Sequence, residues 1–184
     1  MTDFDIVLRG GRVIDPESGL DAVQDVAIAG DRVVRIGTAL PAGRREADVT
    51  GQVVTAGFID LHSHASDLGG ARLQAADGVT TALELEAGVA PVRVAYERAA
   101  AAGRPVNYGF ATSWVQARTE ALAGIRPDGD ARAVFAHLAN PAWQRAATAP
   151  EVRRLLDRLE ADIADGALGI GVLAGYAPAA APEE

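Results

Sequence analysis

The chain opens on short alternations of apolar and polar positions. Phe4, Ile6 and Leu8 fall on one alternating row, Gly10-Gly11 interrupts, and Val13-Ile14 lead into Asp15-Pro16-Glu17-Ser18-Gly19, a dense turn signal. Val26 and Ile28 alternate again before Gly30-Asp31, followed by Val33, Val34 and Ile36, and Gly51 to Val54 make a further strand. This stretch predicts a small module of antiparallel strands. Beyond Val54 the texture changes to apolar runs separated by helical periodicity: Gly57 to Leu61, Val79 to Leu85, Val106 to Phe110 and Leu168 to Val172. Such alternation of strands and helices predicts a β/α repeat.

The helices carry their own punctuation. One runs from about Ala90 to Ala102 and stops at Gly103, with Pro105 just beyond. Another starts at Thr148, where Glu151 completes a capping-box spacing, and ends at Gly166. Its expected apolar face is Val152, Leu155, Leu156, Leu159 and Ile163. Between about Ser113 and Trp143 the turn Pro127-Asp128-Gly129-Asp130 divides the pattern, which fits one broken helix or two.

The apolar run Gly57 to Leu61 ends in His62-Ser63-His64. In a strand, a spacing of two puts both imidazoles on one face, together with Asp60. Two neutral imidazoles on one rigid element suit zinc and related divalent ions, and Asp60, one pleat deeper, could orient a ligand or buttress it. A His-x-His pair by itself is a short motif. Its position, at the end of the first strand of a β/α series, makes metal binding the better reading.

Composition narrows the chemistry further. The 184 residues are 49% hydrophobic and 23% charged, which predicts a soluble globular protein rather than a disordered one. A net charge of -8, with Lys and Arg scattered, argues against a nucleic-acid partner. No apolar run reaches the roughly 18 residues of a membrane span, and the acidic start Met1-Thr2-Asp3-Phe4-Asp5 is unlike a signal peptide, so a cytoplasmic location is expected. Without cysteine, any chemistry falls to His, Asp and Glu.

The β-rich opening, then Val54-Thr55-Ala56-Gly57-Phe58-Ile59-Asp60-Leu61-His62-Ser63-His64, then Gly78-Val79-Thr80-Thr81, resembles the amidohydrolase superfamily, in particular its D-aminoacylase, dihydroorotase and hydantoinase-like branch. The resemblance implies an α/β fold: a (β/α)8 TIM-like barrel preceded by a small β-sandwich subdomain that takes strands from both ends of the chain. It implies one or two divalent metals at the barrel mouth, with His62 and His64 as the first two ligands. The implied reaction is hydrolysis of a small-molecule amide C–N bond by metal-activated water, most like an N-acyl-D-amino-acid deacylase, with a cyclic amidase or a non-catalytic truncated barrel as alternatives.

The second barrel strand ends in Leu83-Glu84-Leu85-Glu86-Ala87-Gly88. Glu84 and Glu86 share a strand face, and a carboxylate there can bind a hard or borderline cation. Similar D-aminoacylases place a cysteine ligand near this point; here Glu86, or less readily Glu84, is expected to replace it. His137 lies in a helical context and is expected to be structural. Arg118 follows the third strand and is the nearest candidate to clamp a substrate carboxylate. Tyr108, Ser113 and Trp114 could join Arg118 in a loop over the site; the alternative is packing for Tyr108 and Trp114 and solvent for Arg118.

A complete barrel takes about 250 residues, and roughly 125 follow the β-rich opening, so the expected division is an incomplete β-sandwich at 1–55 and the first half of the barrel at 56–184. The general base is expected outside this stretch. A half barrel with open edges is expected to be inactive alone and prone to form homo-oligomers.

Overall fold

Alternation beginning at Phe4 produces β1 (Phe4–Asp15), which turns back into β2 (Leu20–Ala29), and a second turn at Gly30 leads into β3 (Arg32–Gly37). Both pairings are antiparallel, as the alternation predicts. The computed structural model describes residues 4–65 and 67–180, in two units, Met1–Ala56 and Gly57–Glu184.

The expectation of a wholly antiparallel module is corrected by the last two strands of the first unit. Both β4 (Gly43–Asp48) and β5 (Val53–Thr55) run parallel to β1, along its first and second halves. The sheet order is β3-β2-β1-β4, with β5 also on β1. Apolar periodicity could not reveal β4, whose sequence is Gly-Arg-Arg-Glu-Ala-Asp; ladder pairing and the ion pairs Arg44–Asp5 and Arg9–Glu46 define it instead. The β1–β2 register breaks between Leu8 and Gly11. There Asp25 accepts hydrogen bonds from the Gly10 N–H (3.0 Å), the Leu40 N–H (3.2 Å) and the Arg9 guanidinium (2.9 Å), so one carboxylate takes up the Gly10 N–H at the bulge together with two donors from outside its backbone. Phe4, Val7, Ala27 and Leu40 form the core of this sheet.

The second unit is a β/α series: β6 (Phe58–Asp60), α1 (Leu68–Ala76), β7 (Val79–Val89), α2 (Val92–Ala102), β8 (Asn107–Ser113), α3 (Trp114–Ala123), α4 (Ala149–Ala164) and β9 (Ile170–Gly171). All three strand pairings are parallel, and the sheet order β6-β7-β8-β9 repeats the chain order. The divided stretch after Ser113 resolves into α3 and two 3-10 turns, Ala131–His137 and Pro141–Trp143. Right-handed crossovers that all advance in one direction place their helices on one face of the sheet. Two glycines let the carboxyl end of β7 pack tightly: a Cβ on Gly88 (φ +64°) would lie 2.4 Å from the Thr112 carbonyl oxygen, and one on Gly171 would lie 2.6 Å from that of Glu86.

Helix α4 corrects a second expectation. Thr148 and Glu151 do form the capping pair, the Thr148 N–H and hydroxyl both donating to Glu151 Oε2 at 2.8 Å. The buried row, however, is Leu155, Leu159 and Asp162, while Leu156 and Ile163 are 44% exposed. The helix is turned by one residue because buried Asp162 is fully used. It accepts the Val92 N–H at the start of α2 (2.9 Å) and the Thr112 hydroxyl of β8 (2.8 Å).

Candidate metal centre

Strand β6 ends at Asp60, and the chain that follows is drawn onto β7: the Ser63 N–H donates to the Leu83 carbonyl (3.0 Å), and an isolated bridge couples His62 to Glu84. This brings three side chains together. His62 Nε2 lies 3.0 Å from His64 Nε2, and Glu86 Oε2 lies 2.8 Å from the first and 3.1 Å from the second. Among the described residues this is the group of His, Asp and Glu arranged to hold a metal ion. The three side chains are 62%, 49% and 44% exposed, so the open side of the triangle is free for further ligands.

Bonds of about 2.0–2.1 Å in a tetrahedral zinc site imply ligand atoms about 3.3 Å apart. The observed triangle, with edges of 2.8 to 3.1 Å, is within about half an ångström of that, a movement that exposed side chains can make. The donor set, two imidazole nitrogens and one carboxylate, is also one that zinc accepts.

Glu84 takes a different place from Glu86. Its carboxylate is only 6% exposed, Oε2 lies 2.5 Å from His64 Nδ1, and Oε1 accepts the Ala87 N–H at 3.1 Å. Hydrogen bonding to Glu84, with lesser help from both carboxylate charges, raises the His64 pKa above its ordinary value against the opposing effect of burial. Asp60 does not join the triangle. Its Oδ1 accepts the His62 N–H (3.0 Å) and its Oδ2 accepts the Gln74 amide (2.9 Å), so it fixes the backbone that carries His62. Gln74 also donates to Ser63 Oγ at 2.8 Å, tying α1 to the same turn. No motif announces Gln74 in the sequence; its role depends on where α1 packs.

Arg118 and His137 lie elsewhere. Arg118 is fully buried, its Nε donating to the Trp143 carbonyl (3.2 Å) and its Nη2 to that of Arg145, with the guanidinium 5.6 Å from the Trp114 ring centre. It anchors a loop where a carboxylate clamp was expected, and burial lowers its pKa. The His137 carbonyl accepts from Trp143 Nε1 at 2.9 Å at the end of a 3-10 turn. Tyr108 stacks obliquely with Tyr96 and Phe110, and Trp114 is buried. A cavity of about 260 Å³ opens beside the site, bounded by His64, Glu84, Gln74, Arg98, Tyr108 and Arg132 among others. That is just below the range usual for small-molecule sites.

With this geometry in view, the similarities to known proteins become specific. No protein-family model matches the chain. It is 30% identical to a D-aminoacylase of Alcaligenes xylosoxydans xylosoxydans over an alignment of 189 residues, covering 96% of this chain and 39% of that protein. It is 40% identical over 89 residues to a dihydroorotase of Citrifermentans bemidjiense, covering 42% of this chain and 21% of that protein. A solved D-aminoacylase, described as defining a novel subset of amidohydrolases, superposes with a TM-score of 0.75 at 26% identity over 97% of this chain and 40% of its own. A further structure of a D-aminoacylase, described for its binuclear metal centre, gives 0.76 at the same identity and coverage. The chain belongs to the amidohydrolase superfamily. It spans about two fifths of the D-aminoacylases and a fifth of the dihydroorotase it matches. Among the described residues, no helix of the chain is long and apolar enough to cross a membrane.

Proposed function

We propose that this chain supplies metal ligands to a hydrolase of non-peptide amide C–N bonds that acts on small-molecule amides, most like an N-acyl-D-amino-acid deacylase. The observation that carries the reading is the triangle of His62 Nε2, His64 Nε2 and Glu86 Oε2, with edges of 2.8 to 3.1 Å. These three residues would hold the ion, and zinc suits their donor set. A bound zinc ion supplies Lewis acidity, which lowers the pKa of water and polarises an amide carbonyl. The chain's own residues prepare the site: β7 presents Glu86, the turn after β6 presents both imidazoles, and Asp60 holds the His62 backbone in place. Within the proposal, the four parallel strands are the opening half of a (β/α)8 barrel, and the five-stranded sheet of the first unit is one part of a β-sandwich. No residue of this chain is assigned as general base.

A second reading keeps the chemistry and changes the substrate. The dihydroorotase similarity favours a cyclic amide, as in dihydroorotases and hydantoinases. The two readings part on a substrate panel, with N-acyl-D-amino acids turned over preferentially under the first and dihydroorotate or hydantoins under the second.

The metal itself is tested by zinc titration with competing chelator. One ion is expected to bind per chain and to be lost in His62→Ala/His64→Ala. Undiminished binding in that double variant overturns the assignment.

A further inference from the structure

We infer that Glu84 is a positioning residue for His64, one that holds the imidazole in its Nδ1–H tautomer and turns Nε2 toward His62 and Glu86, and that it is not a metal ligand. The inference rests on the proposed metal-binding role of His62, His64 and Glu86, and it separates the two acids that the strand spacing alone leaves equivalent.

Three observations carry it. The first is the pair of nitrogens addressed. Glu84 reaches His64 at Nδ1, 2.5 Å away, whereas Glu86 reaches it at Nε2, 3.1 Å away. A neutral imidazole has one donor and one acceptor nitrogen, and an ionised carboxylate only accepts. A neutral His64 therefore cannot donate to both acids; the hydrogen goes to one nitrogen and a lone pair remains on the other. The second observation decides which. Glu84 is 6% exposed and Glu86 44% exposed, and a buried carboxylate needs its hydrogen bond far more than a solvated one. The proton therefore sits on Nδ1, and Nε2 is left with the lone pair that a cation requires. The third is that Glu84 has no oxygen to spare: Oε1 already accepts the Ala87 N–H, so the carboxylate is held at both ends. Glu84 also bridges to His62 through its backbone, which makes β7 the support for both imidazoles. A carboxylate behind a ligating imidazole fixes ring orientation and makes the opposite nitrogen a better donor to metal.

The test separates this inference from the metal reading. Nitrogen-15 correlation spectra of the metal-free protein at alkaline pH report the tautomer of each histidine. His64 is expected in the Nδ1–H form, shifting toward Nε2–H in Glu84→Leu. An Nε2–H tautomer in the parent protein, or the same tautomer populations in the variant, overturns the inference whether or not metal binds. For affinity, Glu84→Gln is the near-isosteric variant, with folding checked by circular dichroism. It is expected to keep one zinc per chain and the parent cobalt absorption envelope while binding roughly 10- to 100-fold more weakly. Loss of the ion as complete as in His62→Ala/His64→Ala would make Glu84 a ligand and sink the proposal; parent-like affinity would also sink it. If the parent protein binds no zinc, the metal reading fails, and the tautomer measurement still decides the role of Glu84.

Discussion

A fully buried guanidinium has to find its hydrogen bonds inside the protein, and Arg118 finds them on the carbonyls of Trp143 and Arg145. Removing it leaves those acceptors and a void beneath the Trp114 ring. Arg118→Ala is expected to destabilise the fold by about 2–3 kcal/mol in denaturant titration while zinc binding by the folded protein stays at the parent level. Weakened binding of a carboxylate substrate with unchanged stability would restore the clamp reading. At this scale the sequence is informative where periodicity speaks. A spacing of two places His62 and His64 together, and the same arithmetic brings Glu86 toward them. It is silent on which nitrogen of His64 each glutamate meets, because that depends on the depth of each side chain in the sheet. It is silent on Arg118 too, since the partners are backbone carbonyls far along the chain and any residue type could supply them.

Among the elements, α4 shows how a polar residue can outrank an apolar one for burial. Leu155 and Leu159 were legible as core, whereas the next inward position is Asp162 and not Ile163, because Asp162 caps α2 from a distance and binds Thr112. Asp162→Ala is expected to cost about 2–4 kcal/mol, since it strands a buried N–H and a buried hydroxyl; a loss below 1 kcal/mol by thermal or urea unfolding would contradict that account. The start of the same helix carries a pH signature. Arg145 and the Thr148 N–H and hydroxyl hold the Glu151 carboxyl well below its ordinary value of 4.5. A carboxyl depressed in the folded state stabilises above the unfolded pKa and loses that contribution as pH falls toward the folded one. Parent protein and Glu151→Gln should therefore differ most near neutrality, and the gap should close steadily below about pH 4.5. A gap that widens on acidification would reverse the assignment. The strand β4 marks the other limit of legibility: a polar edge strand is defined by its ladder and ion pairs, which leave no hydrophobic period to read.

For the whole molecule, the second unit presents apolar residues to solvent along both outer strands. Phe58 and Ile59 on β6, Leu61 just after it, and Leu168, Ile170 and Val172 around β9 are all about half exposed or more. Outer strands of a parallel sheet carry unpaired N–H and C=O groups, and apolar side chains beside them favour association. Light scattering coupled to size exclusion is expected to find oligomers of this chain rather than a monodisperse monomer. Assays with zinc and N-acyl-D-amino acids are expected to find negligible turnover by these 184 residues alone, because among the described residues three candidate ligands are gathered and none is assigned as a general base. A monodisperse monomer with robust turnover would defeat both expectations.

Because the strands of the second unit lie side by side in the order in which they are made, synthesis and assembly can run in step. When β7 leaves the ribosome its partner β6 is already outside, and when Asn107 to Phe110 follow, the edge formed by Thr81 to Glu84 is waiting for them. Each new strand needs only the one before it, and for β7 and β8 the loop to be closed is a single β/α repeat, so the entropy of closing it stays modest; β9 alone waits for α3, two 3-10 turns and α4. The growing chain therefore always offers one fresh edge to the segment about to emerge, and a pause in translation within α2 would leave β7 as that edge, open to pair with a neighbouring nascent chain instead.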